Sequence, residues 1–323
     1  MDGIRLETGL GAWEGRVDAA EGELALRWHQ VVHALPKERA RGAAIVGFAC
    51  DEGVRRNQGR PGAAEAPEAL RRALSNLPVR RCRDLFDAGT VRLEGDDLEG
   101  AQLAYARRIT EVLDLGLLPL GLGGGHEIAW GAFLGLAEHL AQRELKPRIG
   151  ILNLDAHFDL RVAEEATSGT PFRQIAEECF RRDWPFHYCV LGISPFANTE
   201  ALFERARNWG VRFRLDEEMT AADLPAALAD VEAFLATVDH VYLTCCLDVL
   251  PAASAPGVSA PAARGVALEI LERIIDAACA SGKVRMADVA ELNPLLDEDG
   301  RTAKVGARLI GRIAERIAPE PLA

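Results

Sequence analysis

The chain is short of positive charge: 37 Lys and Arg stand against 49 Asp and Glu, a formal net charge of -12. Nucleic acid and anionic membranes are both held through a positive field, so neither is expected as a partner, and any anion site has to be a local arginine cluster. Long apolar runs are also missing, and no stretch reaches membrane-spanning length. The opening MDGIRLETGLGAWEGR has neither a basic head nor an apolar stretch, so no secretory leader is expected. The seven cysteines (Cys50, Cys82, Cys179, Cys189, Cys245, Cys246 and Cys279) are odd in number, and no pair has the CxxC spacing of a zinc ribbon or redox centre. Buried free thiols in a reducing cytoplasm are the expectation. Internal repeats are absent as well.

A composition of 49% hydrophobic and 27% charged residues is that of a globular chain. Short runs rich in Val, Ile and Leu recur between longer amphipathic stretches: AAIVGFA, LLPLGL, RIGILNL, FHYCVLGI, HVYLTCCL and KVRMADVAEL. This alternation predicts an α/β fold with a mostly parallel sheet packed between helices in three α/β/α layers. Helices are predicted near 97–115, 127–143, 172–182, 199–209, 221–237, 266–281 and 302–316. A single domain over 1–323 is expected, with residues 1–40 as a helical N-terminal extension, because GELALRWHQVVHAL has amphipathic spacing. Asp51 to Pro67, DEGVRRNQGRPGAAEAP, reads as a long polar loop of the functional kind.

Open α/β sheets bind ligands beyond the carboxyl ends of their strands, and three such ends carry ligand-type residues. In LPLGLGGGHEIAWG a strand stops in a glycine loop and His126 opens the next helix. The spacing is not GxGxxG and no Walker lysine follows, which disfavours a phosphate cradle. Alone, His126 is better read as a structural histidine. In NLDAHFDLR, Asp155, His157 and Asp159 occupy alternate positions, so an extended segment aims two carboxylates and an imidazole one way. A cap or ion pair would have to explain why the carboxylates tolerate each other without a cation. In TCCLDVLPAASAPGVSAP, alternation sets Thr244, Cys246 and Asp248 on one face and Cys245 on the other, toward the core.

Together GGGHE, DAHFDLR, LDVLPAASAPGVSAP, DEGVRRNQGRPGAAEAPEALR, SGTPFRQ and AELNP make the chain resemble the arginase/agmatinase (ureohydrolase) family, and within it the branch acting on N-formimidoyl-L-glutamate. The resemblance covers most of the chain. It implies a three-layer arginase-like fold, often self-associating into homo-oligomers, with two Mn²⁺ ions at the carboxyl edge of the sheet. Carried over by motif, His126, Asp155 and Asp159 would bind one ion and Asp155, His157 and Asp248 the other. The chain departs from the pattern at three places. Cys246 stands where a second bridging aspartate is usual, Gly125 where an acidic residue is common, and Ser168 near the place of a proton-shuttling histidine.

Mn²⁺ prefers oxygen ligands, whereas a thiolate suits Zn²⁺, Fe²⁺ or Co²⁺. Three outcomes stay open: Cys246 bridges as a thiolate, stands aside from a weakened centre, or marks a centre that has lost its metals. The resemblance further implies hydrolysis of a linear amidine C–N bond, yielding L-glutamate and formamide in histidine degradation. Asp159 would move the proton and Glu291 would hold the amidinium. A substrate with two carboxylates calls for cations, for which Arg161 is the first candidate, followed by Arg55, Arg56, Asn57 and Arg60, with Ser168 nearby. Arginase and agmatinase substrates are cationic guanidines that such a cluster would repel. The rival readings are another hydrolase of the same fold and a metal-depleted binding protein.

Overall fold

The computed structural model describes residues 3–317. Its strands are β1 (Ile4–Glu7), β2 (Val32–Ala34), β3 (Ala43–Ala49), β4 (Leu85–Leu93), β5 (Leu118–Leu122), β6 (Ile149–Leu154), β7 (His187–Ile193), β8 (Arg212–Leu215), β9 (His240–Cys246) and β10 (Val284–Ala290). Helices α1 (Glu52–Arg56), α2 (Ala66–Ser75), α3 (Leu98–Asp114), α4 (Ile128–Ala141), α5 (Pro171–Arg181), α6 (Glu200–Asn208), α7 (Leu224–Leu235), α8 (Leu268–Ala280) and α9 (Arg301–Ile317) lie between and after them. One ten-stranded sheet runs in the order β1-β4-β3-β5-β10-β9-β6-β7-β8, with β2 also paired to β4. Only β1 runs antiparallel to its neighbour among these pairings.

Alternation along the strands fills two apolar layers. Ile45 of β3 and Leu243 and Cys245 of β9 pack with α2, α7, α8 and α9 on one face. Val46 and Phe48 of β3 and Tyr242 of β9 pack with α3, α4, α5 and α6 on the other. Burial on both faces is why the parallel strands read as nearly continuous apolar runs. The α/β/α expectation and the seven predicted helices therefore have counterparts in α3 to α9. Strands β4 and β8 were not foreseen; β8 contains two arginines in four residues and lies at the sheet edge.

The N-terminal segment departs from expectation. Residues 3–40 hold β1, β2 and three short 3-10 segments, with no α-helix. Gly22 adopts φ 62°, which breaks the predicted helix, and side-chain anchors fix the remainder. Trp28 is buried, and its amide donates to Leu77 O at 3.0 Å. The Asp51–Pro67 segment likewise is not all loop, since α1 and the start of α2 fall within it.

A buried ion pair between α2 and β4 anchors the N-terminal segment through Trp13. Arg71 on α2 meets Asp87 on β4 through Nε–Oδ2 at 2.7 Å and Nη2–Oδ1 at 3.1 Å, and it also donates to Thr90 Oγ1 and Gly89 O at 2.7 and 3.0 Å. Trp13 Nε1 donates to Asp87 Oδ2 at 2.6 Å. Removing one member leaves the other charged in a dry site, which costs about 3–5 kcal/mol. Arg71→Ala should lose stability of that order in urea unfolding, and Arg71→Met/Asp87→Leu should recover part of it. An Arg71→Ala loss below about 1 kcal/mol, the value of an exposed pair, would show that the network does not hold the segment.

Candidate metal centre

The glycine loop after β5 is shaped by close packing. A Cβ on Gly124 would lie 1.8 Å from Cys50 O, and one on Gly125 would lie 2.0 Å from Glu127 Oε2. The chain thus passes between β3 and β10 and delivers His126 at the sheet edge, where its amide donates to Glu291 Oε1 at 2.8 Å. Gly125, where an acidic residue was expected by family pattern, has no room for one because the buried Glu127 carboxylate fills that space. Glu127 Oε1 accepts from Gly53 N at 2.8 Å, and burial pushes its pKa up to about 8.

Strand β6 stops at Leu154, so the alternate spacing of Asp155, His157 and Asp159 does not act through extended strand. The loop brings them together instead. Asp155 Oδ1 accepts from His157 N at 2.8 Å, and Asp159 lies at φ 49°, a left-handed conformation that is costly for a non-glycine residue. Asp248 arrives on a 3-10 turn, Leu247–Val249, directly after β9. Glu291 follows β10 at φ 71°.

His126 Nδ1 lies 2.9 Å from Asp155 Oδ2 and 3.1 Å from Asp159 Oδ2. His157 Nδ1 lies 3.1 Å from Asp248 Oδ2 and 3.6 Å from Asp155 Oδ1. Two groups of ligand atoms result, one from His126, Asp155 and Cys246 and one from Asp155, His157 and Asp248, each with its atoms within 4.8 Å of one another. Asp155 belongs to both. His126 Nδ1 and Asp248 Oδ1 are buried and make no well-directed hydrogen bond, although carboxylate oxygens crowd the ring nitrogen. Donors that converge without satisfying one another fit a cation among them, and imidazole with carboxylate is a donor set for divalent ions.

Electrostatics reflect the same crowding. Burial opposes the charged form of His126, but Asp155 and Asp159 outweigh it and raise its pKa. Burial also opposes the Asp155 charge, yet His126 and His157 hold that carboxyl well below the usual range. Burial and then repulsion from Asp155 raise Asp159. Burial, Glu127 and Asp248 lift Glu291 to about 8.

A cavity of about 370 Å³ opens on this cluster and is lined by His126, His157, Asp159, Cys246, Asp248 and Glu291 together with Asn57, Arg60, Arg161 and Ser168. Arg161 has no acidic partner among the described residues. Arg60 lines the cavity with its guanidinium held by Ser259 O and Val258 O at 2.9 and 2.7 Å. Arg55 and Arg56 do not line it, which corrects the expectation that they help form the anion pocket. Arg55 pairs with Glu52 on its own helix at 2.5 Å, and Arg56 is spent on Glu52, Glu99 and Ala166 O at 3.0, 2.8 and 3.2 Å.

Three supporting residues were not foreseen as such. Asn153 Nδ2 donates to Asp155 Oδ2 and Tyr188 Oη, both at 3.0 Å, and fixes the shared carboxylate. Thr244 Oγ1 meets His126 Nε2 at 3.1 Å. Asn293 Nδ2 donates to Arg60 O and Pro61 O at 3.0 Å and pins the loop that carries Arg60. Asn153 and Thr244 each sit two residues before a cluster member, the one signal that could have marked them.

Residues 41–314 match the arginase family. The chain belongs to that family. Among its relatives, a formimidoylglutamase from Ralstonia nicotianae is 60% identical over 313 residues, covering 95% of this chain and 96% of the relative. The arginase fold is evident in the structure of a formimidoylglutamase from Bacillus subtilis, with TM-score 0.83, 20% identity and 96% of each chain covered. A Trypanosoma cruzi formiminoglutamase with Mn²⁺ aligns at TM-score 0.73 and 23% identity, covering 98% of this chain and 100% of the other. No helix among the described residues is long and apolar enough to cross a membrane.

An ion that binds only the folded state stabilises it by mass action, about 2.7 kcal/mol at a hundredfold excess over its dissociation constant. Saturating divalent metal should raise the unfolding midpoint of the chelator-stripped protein, and His126→Ala and Asp155→Ala should lose most of that rise. An equal rise in both variants would place the ion elsewhere.

Proposed function

We propose that this chain is a metal-dependent formimidoylglutamase, hydrolysing N-formimidoyl-L-glutamate to L-glutamate and formamide in histidine degradation. The carrying observation is one cavity that joins a divalent-ion donor cluster to arginine and amide side chains, in a chain 60% identical to a formimidoylglutamase over nearly its full length. His126, Asp155 and Asp159 would hold one ion, and Asp155, His157 and Asp248 the other, with Cys246 between them. Mn²⁺ is the expected ion by analogy with the Trypanosoma cruzi structure. When bound, such ions supply the Lewis acidity that ionises water near neutral pH.

The protein's own groups then divide the remaining work. Glu291 faces the cavity and holds the cationic amidinium by a charge-assisted hydrogen bond. Asp159 takes the proton of the attacking water and returns it to the departing glutamate nitrogen, which leaves poorly until protonated. The guanidinium of Arg161, without an acidic partner among the described residues, takes a substrate carboxylate through its bidentate fork. Asn57, Arg60 and Ser168 complete the polar wall. The same cationic wall disfavours arginine and agmatine, whose net positive charge would meet it. Seven free, buried cysteines suit the reducing cytoplasm in which we place the enzyme, and self-association is part of the same reading.

The purified protein, reloaded with metal, should hydrolyse formimidoylglutamate and leave arginine and agmatine untouched. Turnover confined to the guanidines would overturn the substrate assignment; binding of the substrate with no turnover under any metal would favour a non-catalytic binding protein. Arg161→Ala should lower kcat/KM about ten- to a hundredfold, chiefly through KM, as expected for a lost hydrogen bond to a charged group.

A further inference from the structure

Cys246 brings the one sulfur donor to this cluster. The residue is buried, and its thiol lies with a ligand atom of His126 and one of Asp155 inside the 4.8 Å group, while Cys246 and Asp248 line the same cavity. It therefore borders both donor groups. Each group also contains a buried atom without a directed partner, His126 Nδ1 on one side and Asp248 Oδ1 on the other. The thiol is held there by register: Cys245 and Cys246 pair with Val289 and Ala290 of β10, and Cys245 is locked in the apolar layer beneath. Turning Cys246 away would expel Cys245 from the core, because a one-residue slip reverses every side chain of a strand.

We propose that Cys246 binds as a thiolate and adds sulfur to the nitrogen and carboxylate donors on the His126 side of the centre. A donor set of nitrogen, sulfur and carboxylate matches four-coordinate Zn²⁺, or Co²⁺ or Fe²⁺, better than it matches the octahedral oxygen set that Mn²⁺ favours. The other side, Asp155, His157 and Asp248, keeps nitrogen and oxygen donors alone. The two positions are thus unequal, and the first selects a borderline ion. On binding, the S–H bond is exchanged for an S–metal bond and the proton passes to solvent. This inference rests on the metal centre proposed above.

Cobalt separates the two. The full chain is stripped with chelator and reloaded with Co²⁺, and the near-ultraviolet sulfur-to-cobalt charge-transfer band is recorded beside the cobalt content. The wild-type chain should show the band, and Cys246→Ser and Cys246→Asp should lose it while retaining cobalt. In competition between Mn²⁺ and Zn²⁺, Cys246→Asp should shift occupancy toward Mn²⁺. Bound cobalt without the band in the wild type, or a band that survives in both variants, would overturn thiolate ligation and leave the metal centre standing. Absence of bound cobalt would overturn both. Far-ultraviolet circular dichroism checks that the variants fold, and Cys246→Ser, the near-isosteric change, carries the comparison where Cys246→Asp does not.

Discussion

Carboxylates gathered out of water repel one another, and the carboxyl edge of this sheet is built around that fact. Asp155, Asp159 and Asp248 crowd against His126 and His157 at the ends of β6 and β9 and beside β5. Two of the loops at this edge take strained paths, with Asp159 and Glu291 in left-handed conformations. Strain of this kind persists only where neighbouring structure over-determines it. Here the over-determination comes from Asn153 against Asp155, Thr244 against His126 and Glu291 against the His126 amide. The scaffold thereby fixes the donors close to one another.

How far this was legible in the sequence depended on the kind of signal. The layered architecture was plain, because strands buried on both faces must be apolar along their length, and β3, β5, β6, β7, β9 and β10 are. The edge was harder: β8 carries charge, and β1 and β2 are short pieces. The N-terminal segment misled because amphipathic spacing is a local cue, and there Trp13 and Trp28 gain more by docking on α2 and β4 than a helix interrupted by Gly22 would gain by forming. Helices α1 and α2 were hidden by the polar RRNQGRPG stretch between and around them.

At the site, the donor residues could be found by type and spacing, but the reason their spacing works was different from the one alternation suggests. The strands end before Asp159 and Asp248 are reached, and tight turns complete the convergence. The arginines show the limit of composition most clearly. Arg55, Arg56 and Arg60 sit in one six-residue stretch, yet a turn of helix hands the first two to Glu52 while the chain carries the third to the cavity. Glu52, three and four residues before the two paired arginines, was the local signal, readable only once that stretch is known to be helical; the second acid on Arg56, Glu99, is brought near by the fold.

The strand order also bears on how the molecule is made. The two strands in the middle of the sheet, β10 and β9, lie between β5 and β6 but leave the ribosome after both. Until they arrive, β5 and β6 each face an open edge with unmet amides and carbonyls, and the early half carries His126, Asp155, His157 and Asp159 without Asp248 or Glu291 opposite. Insertion of late strands into the centre makes contacts of long sequence separation, the slow class of assembly, and leaves nascent edges open to wrong pairings. The donor cluster at the carboxyl edge therefore cannot be completed until β9 and β10 have been made.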